Sequence, residues 1–276
     1  MMVFGGYMIA GGTFGIILIA LPFEMMMIGG AAIGAFVMAN SMHDVKHTLG
    51  GFGKILKGAR YHKADYVEIL SLLYWFVRLA QQKGAMALEA HIERPAESAA
   101  FQKFPKIAAD QHAVTMICDY LRMIGMNADD PHQIEDVMAR ELKKLKEEEM
   151  HPSHALQSVA DALPALGIVA AVLGVIQTMA SIDQPPAVLG KMIGSALVGT
   201  FLGVLLAYGL MGPLAARLKG VVEEETKYFE VIRAVLVAHL HGNAPQVAVE
   251  TGRKMVPSHQ MPSFQELEES LQNLAI

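Results

Sequence analysis

The groups able to bind or pass a proton are sparse where this sequence is most apolar. Two apolar runs of about 20 and 25 residues, Ala162–Ser181 and Ala187–Met211, are joined by the polar link Asp183–Pro186. Polar side chains inside these and the other apolar runs include Thr13, Gln177, Thr178, Thr200 and Tyr208, and neither of the two runs has a carboxylate at its centre. Ion conduction normally requires an ionisable or strongly coordinating group inside the hydrocarbon. If protons cross here, the carboxylate must come from another chain. Thr200, beside Gly199 and one turn before Gly203, is the internal candidate to line such a partner helix. The competing role for it is a hydroxyl bonded back to its own helix.

Other chemistry is thin. His151 and His154 share i,i+3 spacing, but Pro152 separates them and no third ligand stands nearby in sequence. No metal is expected. The single cysteine, Cys118, has no partner for a disulfide or a C-x-x-C ligand pair and reads as a small buried residue. The glycines match neither a P-loop nor a dinucleotide fingerprint. No catalytic constellation, cofactor or nucleotide site is expected, so the chain does not read as an enzyme. Asp161 heads the first of the two runs, where it would favour a helix N-terminus. Glu24 sits at a break between two N-terminal runs and reads as a carboxylate at headgroup level.

The elements that must hold these residues are helices. A bilayer core needs roughly 20 apolar residues at 1.5 Å rise, so 162–181 and 187–211 form a transmembrane hairpin. Ser195, Gly199, Gly203 and Ala207 recur every fourth residue, and Gly167 pairs with Ala171 and Ala170 with Gly174. Such stripes let backbones approach closely. Residues 2–21 and 25–42 read as a second hairpin broken at Leu21–Pro22–Phe23–Glu24, the latter run carrying the pair Gly30 and Gly34. The whole is 53% hydrophobic with mean hydropathy +0.35, a membrane composition, and the net charge of −5 gives no footprint for nucleic acid. Between His43 and His154 lie 15 of the 22 Lys and Arg residues, which places that insert in the cytoplasm. Both termini would then be cytoplasmic too. Helical periodicity marks Lys63–Ala80, Ala85–His91, Ala108–Ile124, Gln133–Glu149 after the Asp129–Asp130–Pro131 turn, Arg217–His241 and Gln246–Lys254. Ser263 and Glu266 match a capping box opening a last helix. The expected fold is an all-α membrane protein with four transmembrane helices. Its parts are a hairpin over 1–42, a helical insert over 43–160, a hairpin over 161–216 and C-terminal helices over 217–276.

Pro164 and Pro213 lie at the cytoplasmic ends of the second hairpin, where they can mark boundaries or act together as a hinge.

The segments DALPALGIVAAVLGV…ALVGTFLGVLLAYGLMGPLA, YHKADYVEILSLLYW…KGAMALEAHIERPAES and GNAPQVAVETGRK…PSFQELEE resemble the stator-subunit family of flagellar motors, MotA and PomA. The resemblance implies a bacterial inner-membrane protein forming a pentameric ring in lipid around a pair of MotB-like chains. Each partner's single span would supply the proton-accepting aspartate, and the ring would turn against the rotor protein FliG. Position by position it implies Ala171 and Thr200 as ion-path lining, Pro164 and Pro213 as coupling prolines, and Glu89 as an acidic rotor contact. The family's basic rotor contact falls on Gln81, so Arg78 or Lys83 would replace it. GIVAAVLG resembles the proton-driven branch rather than the sodium-driven one. Alternative readings are an ExbB- or TolQ-like energiser of outer-membrane transport, which usually has three spans, and a non-conducting membrane scaffold.

Overall fold

The computed structural model describes residues 2–12, 14–126, 131–272 and 274, so Thr13 and the Asp129–Asp130 part of the expected turn lie outside the described residues. The described regular structure is helical throughout. The helices are α1 (Met2–Ile9), α2 (Gly15–Ala39), α3 (Met42–Lys57), α4 (Lys63–Lys83), α5 (Met86–Ile92), α6 (Ala99–Gln102), α7 (Pro105–Ala108) and α8 (Gln111–Gly125). Then come α9 (Pro131–Met179), α10 (Pro186–Leu206), α11 (Gly212–Leu240), α12 (Pro245–Met255) and α13 (Phe264–Gln272). The chain divides into two compact units, Met1–Leu56 with Met150–Lys219 and Lys57–Glu149 with Gly220–Ile276.

Three described helices are long and apolar enough to cross a membrane: α2, α9, and the continuous helix Pro186–Leu240 that contains α10 and α11. The N-terminal reading is corrected here. Residues 21–24 do not break the chain, because α2 runs through Pro22 and Glu24. The break falls earlier, near Gly11, whose φ of +83° glycine adopts without strain. Proline removes one backbone donor, yet in an apolar surrounding the neighbouring peptide groups have no other way to pair than to stay helical. The 8-residue α1 is about 12 Å long and falls short of a bilayer core.

A second correction concerns α9. It is continuous for 49 residues with Pro152 and Pro164 inside it, so Pro164 does not mark a helix boundary and Asp161 does not head a helix. Asp161 Oδ1 instead accepts from Gln157 Nε2 at 2.8 Å, one turn back on the same helix. Within the first unit Ser153 Oγ donates to the Ala215 carbonyl at 3.1 Å, one residue past Pro152. Helix α3 was not among the expected elements; Ser41 opens it, accepting from Asp44 N at 3.1 Å while its hydroxyl donates to Asp44 Oδ2 at 2.6 Å.

The second unit has a dry core. Ile69, Leu70, Leu73, Phe76 and Val77 of α4 are fully buried against Ile117 and Leu121 of α8 and Val231, Ile232 and Val235 of α11. The 3–4 spacing of the α4 residues puts them on a broad apolar face, which is why α4 forms here. Tyr61 stacks on Tyr228 with centroids 3.8 Å apart and its hydroxyl donates to Asp110 Oδ2. Helix α13 packs on α4, its N-terminus closed by Glu266 Oε2 accepting from Ser263 N and Ser263 Oγ accepting from Glu266 N, the capping box of the sequence. Lys63 Nζ meets Glu266 Oε1 at 2.7 Å across that contact. Arg253 of α12 is 6% exposed, paired with Glu250 at 2.6 Å and donating to the Pro262 carbonyl, so its charge is compensated where it is buried.

Cys118 is 4% exposed in α8, and burial pushes its thiol up to about 11, with the Arg122 charge opposing. At pH 8 its thiolate fraction is therefore about 100-fold below that of an unhindered thiol. Alkylation by iodoacetamide in the folded protein should be slower than in urea by at least that factor; equal rates would show that α8 does not shield the thiol.

Candidate functional site

The candidate residues fall into two groups, one in each unit. In the first unit α9 and α10 meet backbone to backbone. A Cβ added to Gly167 would lie 2.7 Å from the Gly199 carbonyl oxygen and 3.0 Å from Gly203 Cα. One added to Gly203 would lie 2.7 Å from the Leu163 carbonyl oxygen, and one on Gly174 would lie 2.6 Å from Ala196 Cβ. The small residues spaced by four thus face each other along one seam, as their spacing implied. Ala170 is part of the seam, its Cβ 3.3 Å from where Gly199 would carry one.

Thr200 and Ala171 are the chain neighbours of that contacting pair, so they stand at one level of the crossing. Both are half-buried. Among the described residues the Thr200 hydroxyl has no hydrogen-bond partner, whereas Thr178 Oγ1 donates to the Gly174 carbonyl at 2.9 Å. The hydroxyl at 200 is therefore available to a neighbour from outside.

Helix α2 closes on the same seam. Glu24 is 5% exposed, its Oε2 has no hydrogen-bond partner among the described residues, and that oxygen lies 2.6 Å from the Cβ position of Gly199. This corrects the placement of Glu24 at headgroup level: it is buried within α2, one turn before the buried Ile28 and two before Ala32. It lines a cavity of about 450 Å³ with Phe23, Gln177, Met192 and Ser195. Sequence reading missed it because Pro22 looked like a loop. The usable signal was the i,i+4 series Ala20, Glu24, Ile28, Ala32, which are all buried.

The prolines bracket the seam. Pro164 follows Leu163, whose carbonyl packs on Gly203. Pro213 is the second residue of α11, directly after a wide helical turn over Ala207–Met211 in which Gly212 N donates to Ala207 O, five residues back. A proline has no N–H and its ring collides with the carbonyl four residues earlier. The wider turn relieves that collision and keeps the helix unbroken.

The second group lies on α4 and α5. Glu89, Lys83 and Gln81 are exposed and Arg78 is half-buried. Gln81 Nε2 donates to the Asn243 carbonyl at 3.3 Å, and the Arg78 guanidinium lies 6.0 Å above the Tyr74 ring. Glu89, Arg78 and Lys83 form no ion pair with another described residue. Gly84, with φ +80°, ends α4 and turns the chain into α5. Leu88 and Ile92 are buried, which fixes α5 and leaves Glu89 outward.

Residues 1–84 match the family Motility protein A N-terminal, and residues 98–231 match the MotA/TolQ/ExbB proton channel family. The chain is 43% identical to Motility protein A of Salmonella typhimurium over 97% of its own length and 90% of that protein's. It is 35% identical to Chemotaxis protein LafT of Vibrio parahaemolyticus over 98% of its length and 94% of that protein's. Its fold is shared with the flagellar MotAB stator complex of Bacillus subtilis, with TM-score 0.67, 24% identity, and 95% and 92% of the two chains covered.

Gly203→Ala should destabilise the α9–α10 crossing by about 1–3 kcal/mol, because backbone atoms of Leu163 and Gly167 occupy the space a methyl needs. Gly190→Ala on the same helix meets nothing within 4 Å. Thermal unfolding in detergent should separate the pair; equal midpoints would refute the close approach.

The chain belongs to the motility protein A family.

Proposed function

We propose that this chain is a stator subunit of a bacterial flagellar motor and forms a proton path together with a MotB-like partner. The observation that carries the reading is its 43% identity to a motility protein A across nearly the whole chain. The motility-specific N-terminal match over residues 1–84 favours this branch over an ExbB- or TolQ-like energiser.

In this reading the protein is a multi-pass inner-membrane protein, and the partner's span carries the membrane aspartate. Ala171 is small enough to let that span approach, and Thr200 offers it a hydroxyl. Lys46, Lys54 and Lys57 follow α2, so the second unit faces the cytoplasm. Both termini would share that side if four crossings are made. The three long helices account for three of them. A pentameric ring in lipid would place copies of the α9–α10 seam around the partner, with the proton as the coupling ion and no resident cofactor. Pro164 and Pro213 would relay changes along that seam toward the cytoplasmic unit.

Thr200→Val preserves shape and removes the hydroxyl. In complexes with a MotB-like partner it should lower proton flux several-fold while assembly is unchanged. Pro164→Ala and Pro213→Ala should assemble but fail to support swimming, although alanine is the better helix former. Unchanged flux for Thr200→Val, or normal swimming of both proline variants, would remove those roles.

Glu89, with Arg78 or Lys83 on the basic side, would meet complementary charges on FliG, and Gln81 would be the uncharged member of the patch. Exposed ion pairs contribute about 0–1 kcal/mol each and are screened by salt, so neutralising Glu89 should slow swimming only partly. Glu89→Lys should do more, and a charge reversal on FliG should restore it. Normal swimming of Glu89→Lys would move the rotor contact elsewhere.

A further inference from the structure

The second unit holds a cluster that the stator reading does not use. His132 is the second residue of α9, Glu135 lies one turn on, and His241 follows directly after the end of α11. One ligand atom from each side chain can be chosen so that all three lie within 4.8 Å of one another. Glu135 Oε2 is 3.1 Å from His241 Nε2 and 3.9 Å from His132 Nδ1. Its other oxygen, Oε1, faces the Arg233 guanidinium at 3.5 Å. The carboxylate therefore presents one oxygen to two imidazoles while its second is held by a cation.

We propose that His132, Glu135 and His241 form a binding site for a divalent transition metal of the zinc class. Donor atoms about 2.0–2.1 Å from a tetrahedral zinc stand roughly 3.3 Å apart, close to the two separations the carboxylate oxygen already makes. Two imidazole nitrogens with one carboxylate suit zinc, nickel or copper, whereas calcium and magnesium require oxygen ligands. Arg233 plays the part of the outer hydrogen-bond partner that orients a ligating carboxylate. His132 and His241 are exposed and Glu135 is half-buried, so the metal enters from solution and water completes its coordination. The i,i+3 spacing of His132 and Glu135 puts both on one face of α9, and Gly242, with φ +79°, turns the chain at the end of α11 where His241 stands. The site would clamp the first turn of α9 to the last of α11 within the second unit.

The inference stands apart from the stator reading and is tested without motility. The full chain, purified in detergent without a polyhistidine tag, is titrated with Zn²⁺ against a competing chromophoric chelator, and with Co²⁺ to read the visible absorption of a tetrahedral site. One equivalent per chain is expected. His132→Ala, Glu135→Gln and His241→Ala should each weaken it about tenfold or more. His112→Ala, which removes an exposed histidine elsewhere in the unit, should leave it unchanged. Wild-type binding no tighter than that of the His132→Ala/His241→Ala double variant, or an equal loss in His112→Ala, would mean adventitious binding at surface histidines and would overturn the site.

Discussion

Everything in the first unit depends on the direct backbone contact between α9 and α10. In lipid there is no hydrophobic gain from bringing two apolar helices together, so association rests on close packing over many atoms. Packing of that closeness is possible only where Cβ atoms are absent or small. Gly167 against Gly199 and Gly203, and Gly174 against Ala196, meet that condition along successive turns. Once the seam is set, the level of Ala171 and Thr200 follows, because each is bonded to a member of it. The seam also leaves room beside Gly199 for the carboxylate of Glu24, which no side chain at 199 would allow.

The prolines take their meaning from the same contact. Leu163, whose carbonyl lies against Gly203, immediately precedes Pro164 inside the continuous α9. On the other helix of the hairpin, the wide turn at Ala207–Met211 absorbs Pro213 without ending the helix. Two irregularities in the hydrogen-bond ladders therefore lie close in sequence to the ends of a tightly packed segment. Helices with such defects bend at defined points rather than along their length.

Most of the helical content was legible in the sequence because periodicity is a local property. The α4, α8, α12 and α13 segments show their buried faces in spacing alone, and Ser263 with Glu266 announces the start of α13. The α9–α10 hairpin and its glycine seam were legible for the same reason, with long apolar runs and a four-residue repeat. What escaped was continuity through proline. Pro22, Pro152 and Pro164 each suggest a boundary, yet helical pairing persists past all three. The expected break at Leu21–Glu24 and the helix-terminal role of Asp161 failed on that one point, and Glu24 was misplaced with them. Helix α3 was missed although its apolar residues fall on one face. The cluster of His132, Glu135 and His241 was invisible for another reason: the nearest ligand pair spanning it is 106 residues apart in sequence.

The second unit combines a rigid frame with loosely committed charges. Burial of Leu88 and Ile92 one turn apart fixes α5 against its neighbours, so the backbone at Glu89 has little freedom. The Glu89 side chain itself is exposed, and no described cation neutralises it. A charge of this kind contributes little to the stability of its own fold, since the gain from an exposed pair is small and is reduced by salt. It retains nearly its full potential for a transient partner, at a position held to the accuracy of the core behind it. Arg78 and Lys83, on the last turns of α4, share that arrangement, whereas Gln81 is already engaged with the Asn243 carbonyl. A surface of mixed sign that is weakly held in each pair but firmly placed favours contacts that form and break repeatedly over contacts that lock.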